Sequence, residues 1–324
     1  MDISVVIATF NRANDLRETL GFLAQQETQN IFKYEVIVSD NNSTDETKKV
    51  VHELAKTYPV PLKYEFEARK GRPQALNRGI ASAAGEYIVI TDDDIQAEAD
   101  WLYEVLNTFK TYDADGVGGP VKPLFVGDRP NWMSDYIVRQ LGVVDHGSKP
   151  FVVQSEKYHF TGPNNAYRRS IFSALGGFDE ARDGYMSQDV EYFLRALKAG
   201  YKLVYQPSIP VFNKIYMGRW TKRSVSHRFF AMGQACAFGA QESETKRTIF
   251  RIPLWVIRYF FQLHWEALWN WFKGDKDQAL WDWLRRYYYL GTIYYCFRDW
   301  LFRRPKDHGR SSIQFSDTQN VVKS

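Results

Sequence analysis

Cysteine is scarce in this sequence, and long apolar runs are absent from it. The two cysteines, Cys236 and Cys296, are too few for a disulfide framework and lack metal-site spacing, so they indicate a reducing compartment. No run of eighteen or more uncharged apolar residues occurs, which predicts that the chain has no transmembrane helix. We also expect no signal peptide, because Met1 and the acidic Asp2 lead directly into a short apolar run.

The sequence also has little net charge. Its 42 lysines and arginines nearly balance 38 aspartates and glutamates, which leaves +4. Such a balance argues against a nucleic-acid partner. A hydrophobic content of 44% predicts a globular protein with one large core plus an appendage. Aromatic residues are unusually frequent, at 16%, and many lie near the C-terminus.

The first hundred residues alternate between short apolar runs and amphipathic stretches. We predict strands over residues 3–9, 34–39, 62–66 and 87–91, and helices over 13–26, 43–58 and 74–84. The second of these helices is expected to open with a capping box, Ser43 to Glu46. This order predicts a doubly wound α/β sheet, which binds ligands at the carboxyl ends of its strands.

Three consecutive carboxylates, Asp92, Asp93 and Asp94, follow the fourth predicted strand. Adjacent carboxylates repel one another unless a cation neutralises them. Mg²⁺ and Mn²⁺ prefer such oxygen ligands and typically also bind phosphate oxygens. The alternative is a solvated acidic turn that caps the next helix. We favour a metal site, because the triplet lies where sheets of this kind bind ligands.

Two further polar segments follow predicted strands. Asp40 could accept a hydrogen bond from a nucleobase or a ribose hydroxyl, although an Asx-rich turn that caps the next helix explains it equally well. Arg69 and Arg72 precede a helix rich in small residues, where positive charge suits a diphosphate. Ordinary exposed loop charge is an equally simple interpretation of these two arginines.

Asp189 lies at the start of another predicted helix, over residues 190–199. A carboxylate there could act as a general base, but the helix dipole stabilises its ionised form. Taken alone, an aspartate in this position is more often a helix cap than a catalyst.

Taken together, these motifs resemble those of the family 2 glycosyltransferases of the GT-A fold, a Rossmann-like fold with a mixed, mostly parallel sheet. The resemblance covers roughly residues 1–215, and the motifs taken together are highly specific for this family. It implies an inverting transferase that uses a nucleoside-diphosphate sugar, most often a uridine one. The matching segments are Val5 to Arg12, Val36 to Asp45, Gly85 to Asp94, Gly162 to Arg169, Gly176 to Glu180, Ser187 to Glu191 and Gly200 to Pro207.

The resemblance also implies roles for individual residues. The nucleobase of the donor would lie between Thr9 and Arg12, and Asp40 would form a hydrogen bond with it. Within the triplet, Asp92 and Asp93 would bind the nucleotide part of the donor. Asp94 would hold a Mn²⁺ or Mg²⁺ ion on the diphosphate. The remaining implied roles are Asn164 beside the donor sugar and Asp189 as the base that deprotonates the acceptor.

The sequence departs from the family pattern at two positions. Gln188 stands where a glutamate is common, which indicates altered acceptor recognition, a weakened enzyme or an engineered substitution that traps a complex. Asn213 stands where many relatives have a metal-binding histidine, and its amide oxygen would bind a hard cation more weakly. His227 is the nearest histidine, but a lone histidine among arginines is more often a surface or core residue than a ligand.

The segment 249–304 is rich in Trp, Tyr, Phe and Arg. We predict two helices separated by Gly274 to Asp277. The first has large aliphatic and aromatic residues and one polar stripe, formed by Arg251, Arg258, Gln262, Glu266 and either Asn270 or Lys273. Tryptophan and tyrosine favour the membrane interface, so we interpret this segment as an in-plane anchor on anionic lipid. The alternative is a helical hairpin that packs on the catalytic domain or on a second subunit.

We therefore predict three regions: a GT-A catalytic domain over 1–232, an aromatic and basic helical region over 233–304, and a disordered tail over 305–324. The expected reaction is sugar transfer to a lipid-linked or surface glycan at the cytoplasmic face of a membrane, and oligomers are possible. Two alternatives stay open: a transferase that loads polyprenyl phosphate, and an impaired scaffold that only binds nucleotide sugars.

Overall fold

A computed structural model describes residues 1–139, 141–182, 188–239 and 248–302. Contacts divide the described residues into two compact units. The first unit comprises 1–126, 138–182 and 188–215, and the second comprises 127–137 and 216–302.

The helices and strands follow the alternation that the sequence predicts. The strands are β1 Ile3–Thr9, β2 Tyr34–Asp40, β3 Leu62–Phe66, β4 Tyr87–Thr91, β5 Ile95–Ala97, β6 Gly116–Gly118, β7 Val121–Val126, β8 Phe151–Val152, β9 Asn165–Arg168, β10 Leu203–Tyr205, β11 Val211–Tyr216, β12 Thr248–Ile249 and β13 Ile252–Pro253. The helices are α1 Ala13–Ala24, α2 Thr47–Leu54, α3 Arg72–Ser82, α4 Trp101–Tyr112, α5 Asp135–Arg139, α6 Arg169–Leu175, α7 Gln188–Lys198, α8 Lys222–Gly239, α9 Leu254–Phe272 and α10 Lys276–Phe302.

The main sheet of the first unit runs in the order β3-β2-β1-β4-β9-β6-β10-β8. Strands β3, β2, β1 and β4 are parallel, whereas β9 is antiparallel to both of its neighbours. The apolar runs of β1, β2 and β4 are buried because helices cover both faces of a parallel sheet. The predicted α/β class, with a mixed and mostly parallel sheet, is confirmed. A smaller sheet has the order β5-β11-β7.

The start of α2 differs from the prediction. The helix begins at Thr47, four residues after Ser43, so the proposed capping box is wrong. Asp45 takes that role, because its Oδ1 accepts a hydrogen bond from the Thr47 amide at 3.0 Å. Asn11, a residue with φ of 52°, accepts from the Thr44 amide at 2.7 Å and so joins the end of β1 to this turn.

The start of α3 lies two residues earlier than predicted, so Arg72 belongs to the helix and not to the loop before it. Gly71 has φ of 138°, which favours glycine, and its amide donates to Asn41 Oδ1 at 2.8 Å. Pro73 suits the first turn because that turn needs no amide donor there. Further along, a Cβ on Gly79 would come within 2.6 Å of Val6, so the helix packs closely on β1.

The second unit consists mainly of α8, α9 and α10. Helices α8 and α10 cross at two glycines, where a Cβ on Gly233 or Gly291 would overlap a backbone carbonyl of the other helix. Thr292 adds a hydrogen bond across this crossing, from its hydroxyl to the Gly233 carbonyl at 3.0 Å. The predicted boundary between 232 and 233 lies within α8, and the predicted tail over 305–324 lies outside the described residues.

The break between the two aromatic helices occurs where the sequence predicts it, at Gly274 with φ of 83°. The predicted polar stripe of α9 is present in part, since Gln262 donates to Glu266 one turn later at 2.7 Å. Asn270 lies toward α10 and donates to the buried Asp282 at 2.8 Å, while Arg258 and Gln262 share the exposed face with aromatic residues. The side of α9 that packs against α10 combines aliphatic and aromatic residues, since Val256 and Leu263 are buried there and Tyr259 stacks on Tyr289 of α10 at 5.8 Å. Within the described ranges, no helix is long and apolar enough to span a bilayer.

Candidate active site

The carboxyl ends of β1, β2 and β4 bring the predicted polar residues to one edge of the sheet. Thr9 and Asp40 are register partners at the ends of β1 and β2. The next strand, β4, ends at Thr91, so the triplet that follows it reaches the same edge. The Thr9 hydroxyl donates to Asp93 Oδ2 at 2.6 Å, which fixes one carboxylate of the triplet against β1.

Two carboxylates of the triplet are buried. Asp93 is 6% exposed and Asp94 is 8% exposed. Burial disfavours the charged form and raises the pKa of Asp93 to about 7, although Arg12 opposes this shift. Burial and the neighbouring Asp92 likewise raise the pKa of Asp94. A cation at this position would therefore stabilise negative charge that the protein alone stabilises poorly.

Two arginines supply positive charge to the triplet. Arg12 Nη1 lies 3.3 Å from Asp93 Oδ1 and also contacts Asp94 Oδ2. Arg72, at the start of α3, forms an ion pair with Asp92. Burial alone would lower the pKa of Arg72, but the carboxylates of Asp92 and Asp189 outweigh burial and raise it.

Asp189 lies in the first turn of α7, beside Arg72. Its Oδ2 accepts a hydrogen bond from the Gly162 amide at 2.6 Å, and its Oδ1 accepts from the Val190 amide at 3.0 Å. A Cβ on Gly162 would lie 2.8 Å from Arg72 Nη2, so the Arg72 guanidinium lies close to the backbone of Gly162. The sequence alone predicted no role for Gly162, although this residue begins the segment Gly162 to Arg169 that resembles the family. The adjacent Gln188 is 7% exposed.

Asp40 is almost fully buried, with 1% exposure. Its Oδ1 accepts from the Ser43 amide at 2.9 Å, and its Oδ2 accepts from the Tyr64 hydroxyl at 2.7 Å. Tyr64 is a site residue that sequence reasoning missed, and the only signal for it is its place near the end of β3. Phe66 is the register partner of Asp40 and is 49% exposed at the same edge.

Two predicted donor-binding residues make other contacts. Arg69 forms ion pairs with Glu67 at 2.9 Å and with Glu180 at 2.8 Å. Asn164 is 2% exposed, and its amide group is used inside the fold. It donates to the carbonyls of Pro120 and Ile209 and accepts from the Trp101 indole at 3.2 Å.

Asn213 lies on β11 as the register partner of Ile95, the residue that follows the triplet. Its neighbour Lys214 donates its amide hydrogen to the Asp94 carbonyl at 3.0 Å. The Oδ1 atom of Asn213 is buried, and no donor among the described residues reaches it. A buried oxygen without a donor is costly, so it suits a ligand that supplies positive charge. His227 lies on α8 of the second unit.

The donor set fits a hard divalent cation that is shared with a ligand. In the described ranges, no three side chains of His, Cys, Asp or Glu group closely enough to hold a metal by themselves. Mg²⁺, however, usually takes one or two carboxylates together with phosphates and waters. Asp94 and the Asn213 amide oxygen are oxygen donors of this kind.

The fold and the acidic cluster at its sheet edge define the class of GT-A glycosyltransferases. The sequence profile described as "Glycosyl transferase family 2" matches residues 4–176, more than half of the 324-residue chain. The chain therefore belongs to glycosyl transferase family 2.

Several proteins are similar to this chain. It is 25% identical to the succinoglycan biosynthesis protein ExoM of Rhizobium meliloti, over 72% of this chain and 74% of that one. It is also 25% identical to the O-antigen chain rhamnosyltransferase WbaN of Salmonella anatum, over 82% of this chain and 90% of that one.

Solved structures share the fold. A mannosyltransferase from Pyrobaculum calidifontis, in complex with GDP-Man and Mn²⁺, has a TM-score of 0.53 at 23% identity, covering 72% of this chain and 61% of that one. Residues 1–349 of S. aureus TarS, in complex with UDP, have a TM-score of 0.53 at 17% identity, covering 90% of this chain and 92% of that one.

Proposed function

We propose that this protein is an inverting glycosyltransferase that moves a sugar from a nucleoside-diphosphate sugar to an acceptor hydroxyl. The expected nucleotide is uridine diphosphate. One observation carries the proposal: Arg72 contacts Asp92 of the triplet and lies beside Gly162, whose amide holds Asp189. A donor-binding cluster and a candidate base thus share one arginine. The ligands in solved structures of similar fold, GDP-Man, UDP and UDP-GlcNAc, support a nucleotide-sugar donor.

The donor would bind along the sheet edge. Thr9 and Arg12 at the end of β1 would flank the base, and Asp40 would accept from it. Because Tyr64 and Ser43 already hold the Asp40 carboxylate, that group is fixed before the ligand arrives. Arg72 would lie near the diphosphate.

Asp94 and Asn213 would hold a Mn²⁺ or Mg²⁺ ion. When bound, this ion supplies positive charge to the leaving diphosphate. Arg12 contacts Asp94 Oδ2, one of the oxygens that the ion would use, so the ion would compete with Arg12 for this carboxylate. A guanidinium displaced in this way would be available to the nucleotide.

Asp189 would take the proton of the acceptor hydroxyl as its oxygen attacks the anomeric carbon. The new carbon–oxygen bond forms as the bond from that carbon to the diphosphate breaks, and the electron pair leaves with the diphosphate. The configuration inverts because attack and departure occur on opposite faces. The hydrogen bonds from Gly162 and Val190 orient the carboxylate, which keeps its remaining lone pairs for the acceptor.

We infer a saccharide acceptor, free or linked to lipid. The names of the relatives support this class: an O-antigen chain rhamnosyltransferase, a succinoglycan biosynthesis protein, and a glucosyl-dolichyl phosphate glucuronosyltransferase that is 26% identical over 55% of this chain and 56% of that one. Polyprenyl phosphate as the direct acceptor is the second candidate. It is favoured by a dolichol-phosphate mannosyltransferase of Pyrococcus furiosus, 29% identical over 36% of this chain.

The exposed face of α9 supports contact with a membrane. Phe261, Trp265, Trp269 and Phe272 lie on this face and are 56%, 68%, 62% and 75% exposed. Arg258 lies among them. Aromatic rings mixed with a cation suit the headgroup region of an anionic bilayer, where this chain would lie in the plane of the cytoplasmic leaflet.

The test of the enzyme proposal measures hydrolysis of UDP-sugars with and without Mn²⁺, together with thermal shifts by UDP and GDP. We expect a shift by UDP that requires Mn²⁺ and slow Mn²⁺-dependent hydrolysis of at least one donor, since a ligand that binds the folded state stabilises it. Binding without turnover would favour the scaffold alternative. No binding of either nucleotide would contradict the proposal.

A further inference from the structure

A cavity of about 380 Å³ lies in the first unit, apart from the acidic cluster. It is lined by the segment 146–149, by Phe151 of β8 and by Tyr158 of a short 3-10 turn. The donor site uses none of these residues. The cavity therefore requires its own explanation.

The walls of this cavity are aromatic and fixed in position. The ring of Tyr158 lies 4.9 Å from that of Phe151 and 5.4 Å from that of His146, both edge to face. The buried ring of Tyr205 lies beneath, 5.3 Å from Phe151 and 5.1 Å from His146. The Tyr205 hydroxyl accepts a hydrogen bond from the His146 amide at 3.1 Å. Because these rings hold one another in place, a ligand that packs on them orders little of the protein.

The rim of the cavity is polar. Ser148 and Lys149 are exposed there and supply a hydroxyl and an ammonium group. Aromatic walls with a few polar groups match the chemistry of a sugar ring, which presents C–H groups on its faces and hydroxyls at its edge. An aliphatic ligand would leave the lysine unused, and a bare phosphate would leave the rings unused.

The cavity is connected to the candidate base through one short segment. His146 Nε2 lies 3.1 Å from the carbonyl oxygen of His159, and three residues later the amide of Gly162 donates to Asp189. The chain from Tyr158 to Gly162 can span at most about 14 Å. Burial lowers the pKa of His159, and the Asp189 carboxylate partly offsets this effect, so the two groups are near each other.

From this geometry we infer that the cavity is an acceptor subsite, which binds a sugar ring of the acceptor saccharide that is not the ring that reacts. The inference rests on the proposed transferase function. The occupied subsite would hold the acceptor so that its reacting hydroxyl reaches Asp189. The enzyme would then recognise the length of the acceptor saccharide at a position away from the reacting hydroxyl.

The experiment uses saturation-transfer NMR on the full chain with cellobiose, maltose, lactose and N,N′-diacetylchitobiose as probes, and UDP with Mn²⁺ as the reference ligand. We expect at least one disaccharide to receive saturation from the wild-type protein. Tyr158→Ala should weaken that binding roughly tenfold, the effect of losing one anchoring aromatic contact. Lys149→Ala, an exposed position, should weaken it without a risk to folding.

The matched control is Phe125→Ala, which removes an exposed aromatic ring that does not line the cavity. It should leave both disaccharide and UDP binding unchanged, and the cavity variants should leave UDP binding unchanged. If UDP binds but no disaccharide does, or if Tyr158→Ala and Lys149→Ala bind it normally, the subsite is wrong and the proposed function stands. If neither UDP nor GDP binds, the proposed function itself is wrong.

Discussion

Arg12 bridges Asp93 and Asp94, with its Nη1 3.3 Å from Asp93 Oδ1 and in contact with Asp94 Oδ2. Both carboxylates are buried, so the guanidinium offsets negative charge that burial makes costly. A divalent cation held by Asp94 and Asn213 would share the Asp94 carboxylate with Arg12. Arginine and metal therefore compete for one position, although both are positively charged parts of the same proposed site.

This competition gives the first prediction. Arg12→Ala should lower the thermal midpoint of the metal-free protein, because two buried carboxylates lose their partner. Mn²⁺ should then raise the midpoint more than it does in the wild-type protein, since the ion no longer displaces an arginine. Thermal unfolding with and without Mn²⁺ measures both effects. Arg17→Ala is the control, as Arg17 is an exposed arginine of α1, the helix that follows Arg12, and pairs with Glu53 at 3.8 Å. Equal Mn²⁺ shifts in both variants would contradict the competition.

The second prediction concerns the metal ligand itself. Asp94→Ala should remove the Mn²⁺-dependent part of UDP binding, because the remaining oxygen donor, the Asn213 amide, carries no charge. Titration calorimetry with UDP at saturating Mn²⁺ measures this loss. Glu98→Ala, at an exposed carboxylate just beyond β5, should bind UDP normally. An Asp94 variant with wild-type affinity would rule out this residue as the ligand.

The third prediction concerns the base. Asp189→Asn should keep UDP affinity and lower turnover by roughly a hundredfold or more, the scale of general base catalysis. The asparagine oxygen still accepts the Gly162 hydrogen bond, so the local structure should persist. UDP release during transfer gives the rate, and the thermal shift by UDP gives binding. Asp113→Asn, at an exposed turn residue, is the matched substitution and should leave both values unchanged. Near-normal turnover would show that another group deprotonates the acceptor.

Parts of the site could be predicted from sequence because they are local. The apolar runs of β1, β2 and β4 each end in polar residues, and parallel strands bring such ends to one edge. The partner of a buried side chain, in contrast, cannot be predicted from local sequence. Tyr64 reaches Asp40 across 24 positions, and Trp101 reaches Asn164 across 63. Such pairings depend on strand order and helix packing, which periodicity does not specify.

The missed features have specific physical causes. The small sheet of β5, β11 and β7 was not predicted, because β5 has only three residues and its pairing with β11 joins segments that are far apart in the sequence. The start of α3 at Arg72 was missed because Gly71 and Pro73 also resemble loop residues. On α9, composition indicated the aromatic surface, but it did not distinguish the rings that stay exposed from those, such as Tyr259, that stack on α10.

The fourth prediction is a pH dependence of stability. Glu35 is 1% exposed and accepts from Ser4 at 2.6 Å and from the Ala84 amide at 2.8 Å, and Lys63 lies 2.7 Å away. Burial alone would raise the pKa of Glu35, but these three donors outweigh it and lower the pKa below 4.5. The ionised form is thus favoured in the folded state. Its contribution to stability is present above pH 4.5 and is lost as the pH falls through the lowered folded pKa.

Glu35→Gln should therefore lower the free energy of unfolding by about 1 to 2 kcal/mol near neutral pH, since the neutral amide forms weaker hydrogen bonds. The difference from the wild-type protein should shrink as the pH falls below 4.5. Urea unfolding at a series of pH values measures it. Glu46→Gln, at a carboxylate whose side chain is 72% exposed, should show little difference at any pH. A difference that stays constant with pH would show that the negative charge of Glu35 does not contribute to the free energy of unfolding.

The fifth prediction concerns membrane binding. Deleting the C-terminal helices would uncover α8, because Gly233 and Gly291 bring α8 and α10 into backbone contact. Point substitutions on the exposed face of α9 avoid this problem. Trp265→Ser combined with Trp269→Ser should keep the fold and weaken binding to anionic vesicles more than tenfold. The reason is that each buried tryptophan removes a large apolar area from water.

Flotation on vesicles of phosphatidylglycerol and phosphatidylcholine, at low and high salt, separates the two contributions to this binding. Each Lys or Arg near an anionic surface contributes about 1 kcal/mol, and salt screens that part. The tryptophans should supply the part that persists at high salt, so the double variant should float only at low salt. Phe125→Ser with Val152→Ser, at exposed apolar positions of the first unit, should float like the wild-type protein. If the wild-type protein stays in solution with every lipid mixture, another protein surface covers the aromatic face, and the membrane proposal is wrong.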